Sequence, residues 1–339
     1  MVRYLKQEEK ILSRPLWEEA FSEDSAPFMD FYYGDKVLEN RILVREEDGQ
    51  IDAMAQLNPY RMQVRDREWR IDYIVGVATR ADRRHRGYMR EILLDMLRDM
   101  YREGMPFCFL MPADRRIYEP FQFTFIFDQP QWEVKREAEL TRTPYQESGV
   151  AAGELARFAD RWLRERFDVF CIRDEDYMKM FLKEIKSEAG TLELLHHRGE
   201  LVGIRSEWGL AQREQRELLC QEEFLEETGE PKPAIMARIV NLKEFLSVIS
   251  LREECQSQQI SVLIEVEDPI IRENQGKFLW HLDKSGSRIE PAAESGGTPF
   301  SITVEALTGW LFGYDCPEDG PEWIRLIRPL QGIFIDEIV

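Results

Sequence analysis

The chain has 339 residues, of which 43% are hydrophobic and 32% are charged. This length suggests two or three domains, and the composition allows buried cores rather than disorder. A formal net charge of −19 argues against nucleic-acid binding, which needs a basic face. The sequence has neither an apolar run long enough to span a membrane nor a secretion signal. Its five widely spaced cysteines and four histidines predict a cytoplasmic protein with reduced thiols and no metal site.

In chain order, residues 41–47 and 51–57 predict two strands around a turn, followed by a strand around 62–64 and a long apolar strand at 71–79. The apolar spacing in 88–103 predicts a helix that ends near Gly104. A buried strand at 107–111, a turn-helix at 113–119 and a strand at 123–127 follow. Residues 136–148 have the composition of a linker.

The middle of the chain shows helical periodicity over 151–186 and then a hairpin around Gly199. Residues 212–232 are polar and acidic and indicate a second boundary. Beyond it, AIMARIV predicts a strand, and Asn241 with Glu244 has the spacing of a helix cap. Strands at 260–267 and 277–282, a helix near 304–312 and an apolar tail complete the pattern. The fold class predicted is therefore α+β (mixed α/β).

The most informative stretch is IVGVATRADRRHRGYMREIL. A buried strand leads through a short loop into a helix, and the exposed N–H groups of a helix start can bind phosphate. The arginines that gather there, Arg83, Arg84, Arg86 and Arg90, oppose the helix dipole unless an anion is bound. The alternative is a solvated basic loop before an ordinary core helix.

This segment resembles the acetyl-CoA-binding motif (Q/R)xxGx(G/A) of the GNAT acetyltransferase superfamily, with Arg84, Gly87 and Met89 at the motif positions. Met89 replaces the usual small residue, a departure that resembles the enhanced-intracellular-survival (Eis-type) branch. The segments FMDFYYGDKV, LNPYRM and PFCFLMPADRRIYEPFQFTFIFDQ and the tail GIFIDEIV are similar to that branch too.

The resemblance implies a GNAT domain at 1–135, a second, shortened GNAT-like domain at 136–234 and a domain similar to sterol carrier protein type two at 235–339. It also implies acetyl-CoA as cosubstrate, a homo-oligomer that could be a hexamer, and no membrane or nucleic-acid partner. The cofactor positions that it implies are Val77, Thr79, Arg84, His85, Arg86, Gly87, Tyr88, Met89, Arg90, Ala113 and Asp114.

Acetyl transfer to an amine needs a base and an acid that protonates the leaving thiolate. Tyr118 matches the family's general-acid tyrosine, although its aromatic neighbours also fit a core residue. The resemblance implies that the carboxylate of Val339, the C-terminal residue, is the base, with Asp336 and Glu337 as rivals. Glu337 could also hold a cationic substrate, and Asp30 with Phe28 and the adjacent aromatic residues could form an amine pocket or a core lid.

These features predict an N-acetyltransferase acting by direct transfer on a primary amine of a cationic small molecule or a lysine side chain. Aminoglycosides, polyamines, lysine and arylalkylamines all remain open as substrates. One alternative is an acyl-CoA sensor without turnover. Another is a lipid-binding protein, whose apolar tunnel would be lined by residues of the third domain, namely Trp280, Trp310, Leu311, Phe312 and Trp323.

Overall fold

The structure, a computed structural model, describes residues 1–292, 297–317 and 319–337. The first part of the chain forms a sheet covered by helices. Its elements are β1 (Val2–Tyr4), α1 (Arg14–Ala20), α2 (Ala26–Gly34), β2 (Arg41–Glu47), β3 (Gln50–Val64), β4 (Arg67–Thr79), α3 (Tyr88–Arg102), β5 (Phe107–Leu110) and β6 (Thr124–Val134).

The middle of the chain combines two long helices with a small antiparallel sheet. Its elements are β7 (Thr141–Pro144), α4 (Tyr145–Ser148), α5 (Ala152–Arg164), β8 (Val169–Cys171), α6 (Glu175–Ser187), β9 (Thr191–His197), β10 (Glu200–Trp208), β11 (Glu214–Cys220) and β12 (Leu225–Ile239).

The last part of the chain forms a second mixed sheet with one helix of two turns. Its elements are α7 (Leu242–Leu246), β13 (Ser250–Leu251), β14 (Gln259–Glu267), β15 (Gly276–Asp283), β16 (Ser287–Pro291), β17 (Phe300–Thr303), α8 (Val304–Leu311), β18 (Ile327–Arg328) and β19 (Ile333–Phe334). Asn241 accepts a hydrogen bond from the Glu244 amide at 3.1 Å, which confirms the predicted cap.

The large sheet has the strand order β1-β2-β3-β4-β5-β12-β6, and β8 and β19 extend it beside β3. Strand β12 therefore enters between β5 and β6, although it follows them by about 100 residues in the chain. Its antiparallel partners are Leu110 to Phe107 on one side and most of β6 on the other.

Two predictions about strands differ from the structure. Residues 51–64 form the single strand β3, and the segment 212–232 holds β11 and half of β12 rather than a boundary. Residues 226–233 are exposed on both faces, so this half of β12 lacks the apolar alternation by which a strand is recognised. Strand β12 also crosses residue 235, the predicted start of the third domain.

Helix α3 forms where the sequence predicts it. One of its faces is buried against the large sheet, and Gly104, with φ +77°, ends the turn that follows it. A continuous hydrophobic core joins this sheet to the last part of the chain, while helices α5 and α6 have a core of their own. Phe107, Phe245 and Phe312 pack ring against ring where the first and last parts meet.

Two global predictions can be compared with this fold. The mixed α/β class is confirmed, and the five cysteines are free thiols, with Cys316 the exposed one. Within residues 1–292, 297–317 and 319–337, no helix has both the length and the apolar character needed to cross a bilayer.

Candidate active site

The site begins where strands β4 and β5 separate. These parallel strands are paired at Tyr73 and Phe109, whose rings stack at 4.9 Å. Beyond that point β4 has a bulge, because Gln56 faces Val75 while Met54 faces Ala78. Gly76, in the bulge, has φ +56°, and a Cβ there would lie 2.4 Å from the Trp17 ring. Val77, which follows Gly76 in the bulge, is half-buried.

The loop after β4 ends in an open helix start. Gly87 caps α3 with φ +81°, and a Cβ built on it would meet nothing within 4 Å. No side chain caps the first turn, so the amides of Tyr88, Met89 and Arg90 keep their hydrogen-bonding capacity. His85 also has positive φ, at +63°. Since amides and helix dipole converge on an uncovered backbone, this turn can bind a phosphate group.

The arginines of the loop fall into two groups. Arg80 pairs with Asp82, and Arg83 lies near Asp82 and the buried Asp52. Arg84 and Arg86 are exposed; the Nε of Arg84 donates to the Thr79 carbonyl at 3.3 Å. The exposed Arg90 lies over the Phe121 ring at 5.9 Å. The second group is the one available to an anion.

Tyr118 lies in the segment that follows β5. Its ring is 8% exposed and packs edge-on against Phe123 at 6.1 Å. Burial raises the pKa of Tyr118 to about 12, so the hydroxyl keeps its proton at neutral pH. Because Phe121 contacts Arg90, the Tyr118 segment and the start of α3 are neighbours.

Ala113 and Asp114 occupy the turn before Tyr118. Ala113 is exposed, whereas Asp114 accepts from the Arg116 amide at 3.0 Å and pairs with its guanidinium at 2.5 Å. Hydrogen bonding from Arg116 lowers the pKa of Asp114 to about 2. Asp114 therefore shapes the turn, and Ala113 is the residue of the two that leaves room for a ligand.

The tail residues Ile333 and Phe334 pair in parallel with β8. Glu337 is fully buried, forms an ion pair with Arg173 and accepts a hydrogen bond from the Tyr177 hydroxyl at 3.2 Å. Arg173 therefore neutralises the negative charge of Glu337. Val339 lies outside the described residues.

Asp336 has a different environment. It is half-buried and accepts from Gln129 Nε2 at 2.7 Å. Burial, opposed by Arg216 and reinforced by the nearby carboxylates of Glu217 and Glu337, raises the pKa of Asp336 to about 7. A carboxyl with this pKa exchanges protons near neutrality, which the more usual value near 4 would not allow.

A buried charge network surrounds the tail and was missed by the sequence analysis. Its ion pairs are Arg173 with Glu217 at 2.8 Å, Arg216 with Glu184 at 3.1 Å and Lys36 with Glu184 at 3.0 Å. The sequence did contain a sign of this network, namely charged residues beside apolar ones: Arg173 in FCIRDED and Glu217 in ELLC. The network borders a cavity of about 380 Å³ whose walls include Tyr60, Tyr177, Phe181 and the carboxylates of Glu39, Asp174 and Asp176.

Asp30 does not join this site. It is exposed and forms an ion pair with Arg14 at 2.9 Å. Phe28 and the aromatic residues after Asp30 are buried in the core, where Phe28 packs on Tyr32 and Trp208. The structure thus favours the core-lid interpretation of this segment.

The aromatic residues predicted as a lipid tunnel pack against one another. Trp280, Trp310 and Trp323 have ring centroids within 6.4 Å of one another, and Trp280 donates to Ser287 Oγ at 2.8 Å. Phe312 packs on Phe107 and Phe245 instead. These side chains serve as core, as their burial indicates.

Comparison with known proteins identifies two parts of the chain. Residues 1–126 match the acetyltransferase (GNAT) domain family, and residues 242–320 match the sterol carrier protein domain family. No curated protein matches the chain.

Solved structures extend the likeness over the whole chain. A probable N-acyltransferase from Enterococcus faecalis V583 has TM-score 0.78 and 15% identity, covering 98% of this chain and 99% of its own. A GCN5-related N-acetyltransferase from Kribbella flavida has TM-score 0.74 and 13% identity, covering 100% and 98%. Eis1 from Mycobacterium abscessus has TM-score 0.74 and 13% identity, covering 99% of each chain.

These matches assign residues 1–126 to an acetyltransferase (GNAT) domain, whose chemistry is acyl transfer, and residues 242–320 to a sterol carrier protein domain. The expected resemblance to the Eis-type proteins is confirmed in the fold, which this chain shares with Eis1 from end to end.

Proposed function

We propose that the protein is an acetyl-CoA-dependent N-acetyltransferase that transfers an acetyl group directly to a primary amine of a cationic small molecule or a lysine side chain. The observation that carries this proposal is the meeting of the open α3 start with the Tyr118 segment through Arg90 and Phe121. The segment that holds the buried, protonated Tyr118 thus contacts the first turn of α3.

Acetyl-CoA, when bound, supplies an activated acetyl thioester. The amides of Tyr88 to Arg90 and the side chains of Arg84 and Arg86 hold its pyrophosphate, and the backbone of Val77 and Thr79 lines its pantetheine arm. His85, whose positive φ shapes the loop, and Ala113, exposed after β5, complete this lining. Tyr118, which keeps its proton at neutral pH, donates that proton to the sulfur as the C–S bond breaks, and the phenolate that remains regains a proton from solvent.

The base is provided by the tail. The resemblance implies the carboxylate of Val339, and Asp336 is the described tail residue whose pKa suits the task. Glu337 is a weaker candidate, because Arg173 neutralises it and burial removes it from solvent. The cavity beside Tyr60 and Tyr177 has carboxylates at its walls that suit a cationic amine.

The direct test is thiol release from acetyl-CoA in the presence of a panel of amines, comprising an aminoglycoside, a polyamine, lysine and an arylalkylamine. Turnover with at least one amine, confirmed by mass of the acetylated product, is the expected result. Binding of CoA without turnover on any amine would favour an acyl-CoA sensor instead. If the protein neither binds CoA nor acetylates any amine of the panel, the proposal is overturned.

A further inference from the structure

The geometry points to Asp52 as a positioning residue that shapes the phosphate-binding loop from beneath. We infer that its buried carboxylate, acting through Arg83 and Arg45, holds residues 80–88 in the form that leaves Arg84 and Arg86 free for an anion. The identity of that anion, the pyrophosphate of acetyl-CoA, rests on the proposed function. The positioning itself rests on the following contacts.

A β-bulge directs Asp52 toward the loop. In the pairing of β2 with β3, Arg45 faces Ala53 and Glu46 faces Ile51, so Asp52 is the extra residue that has no opposite partner. Bulges re-aim side chains in this way and occur frequently beside active sites. Asp52 is only 1% exposed, and its main-chain carbonyl accepts from the Arg80 amide at 2.9 Å, at the first residue of the loop.

The carboxylate of Asp52 faces two arginines. Arg83 Nε lies 3.4 Å from one of its oxygens and Arg45 Nη1 lies 4.0 Å from the other. Within the described part of the chain, neither oxygen accepts a hydrogen bond. Since a buried carboxylate without hydrogen bonds is costly, attraction to these cations is what holds it there, and the same attraction holds the loop.

Arg45 continues the contact to the helix start. Its guanidinium lies 4.4 Å from the centre of the Tyr88 ring, and its Nε is 3.4 Å from a Glu91 carboxylate oxygen. Asp52 is thus linked through Arg83 to the middle of the loop and through Arg45 to the first turn of α3. The amides that face the anion, at residues 88–90, belong to that same turn.

This arrangement explains the two groups of arginines. The inward pair of Asp52 and Arg83 prevents Arg83 from competing for the anion and fixes the chain before Arg84, while Arg45 contacts Tyr88 after it. Loss of the Asp52 charge would leave the loop with more conformations to give up on binding, which weakens affinity without removing any group that touches the ligand.

The first test needs no ligand. Amide hydrogen exchange of residues 80–90 in the free protein is measured for the wild type, Asp52→Asn and Asp82→Asn. Asp82 is the matched control, because it pairs with Arg80 and with the same Arg83 but is 59% exposed rather than buried. We expect exchange at least about 10-fold faster in Asp52→Asn alone. Unchanged exchange in Asp52→Asn would overturn the inference.

The second test compares acetyl-CoA with S-acetylpantetheine, a thioester that lacks the pyrophosphate. In Asp52→Asn we expect KM for acetyl-CoA to rise about 10-fold, with kcat and the KM for S-acetylpantetheine unchanged. Equal effects on both donors would assign Asp52 a general structural role and contradict positioning. If the wild type neither binds CoA nor uses either donor, the proposed function fails, while the exchange measurement still decides the role of Asp52.

Because Asp52 is buried, Asp52→Asn could fail to fold. Arg83→Gln tests the same contact from its other side, at a residue that is 29% exposed. It should reproduce the faster exchange of residues 80–90. In the double variant Asp52→Asn/Arg83→Gln, exchange should be no faster than in the more affected single variant, since residues that act through one contact are not additive. Additive effects would show that the two residues act separately.

Discussion

The hydroxyl of Tyr118 is the group on which acid catalysis depends in the proposed site. Tyr118→Phe keeps the ring that packs on Phe123 and removes the oxygen. We expect kcat to fall by about 10²–10⁴-fold, the usual contribution of a general acid, with CoA affinity and melting temperature unchanged. Calorimetry with CoA and steady-state rates measure both effects. Wild-type turnover in Tyr118→Phe would return Tyr118 to a purely core role.

Asp336 should make stability depend on pH. Its folded pKa of about 7 lies above the ordinary value of 3.8, so between these values the folded protein keeps a proton that the unfolded chain releases. Stability therefore falls as pH rises through this window. Asp336→Asn has no carboxyl group to titrate in this window. The melting temperature of the variant relative to the wild type should therefore rise between pH 4 and pH 8.

The same residue has a catalytic prediction. If Asp336 is the base, kcat/KM of the wild type should rise as pH passes about 7, and Asp336→Asn should lose that rise and most of its activity. Glu337→Gln is the comparison variant, since Glu337 is already paired with Arg173. A normal pH–rate profile in Asp336→Asn would exclude Asp336 and leave the terminal carboxylate.

Among elements, helix α3 contributes through its dipole and its uncapped first turn. Arg84→Glu places a negative charge where the anion binds, and we expect CoA affinity to fall by at least about 10-fold, a change of about 1.4 kcal/mol. Arg98→Glu makes the same charge change in the last half of α3, on an exposed residue, and should leave CoA affinity unchanged. Equal affinities in the two variants would contradict the phosphate-site assignment.

The elements also show what the sequence could and could not predict. Helix α3 and strands β14 and β15 were predictable, because each has one buried face with a regular apolar period. The bulges at Gly76 and Asp52 were not, since they depend on strand register, which no local pattern encodes. Half of β12 was missed because both of its faces are exposed. The buried network around Glu337 was missed because its partners lie far apart in the chain.

The candidate site residues also divide into those that a local sequence pattern indicates and those that depend on contacts distant in the chain. The open start of α3 and the Tyr118 segment could be located from motif and resemblance, because their residues are close in sequence, and their roles in binding and catalysis stay predictions. Asp30 was assigned by its aromatic neighbours alone, and the pairing with Arg14 that turns it outward leaves no trace in a linear pattern.

At the scale of the whole molecule, the tail links the last part of the chain to the middle. Ile335 and Glu337 are buried, and β19 pairs with β8. If the carboxylate of Val339 is the base, two residues added after it would move the charge away while leaving these contacts intact. We expect activity to drop sharply at an unchanged melting temperature, whereas Val339→Ala should be mild. Full activity of the extended chain would exclude the terminal carboxylate.

The entry of β12 between β5 and β6 has a consequence for how the chain is made. While a ribosome is still synthesising the middle of the protein, β5 lacks one of its two neighbours and β6 lacks β12, its partner strand in the sheet. The acetyltransferase domain of residues 1–126 cannot close its sheet until residue 239 has emerged from the exit tunnel. A nascent chain stalled before that point should expose apolar strand edges and attract chaperones, and one stalled after it should not.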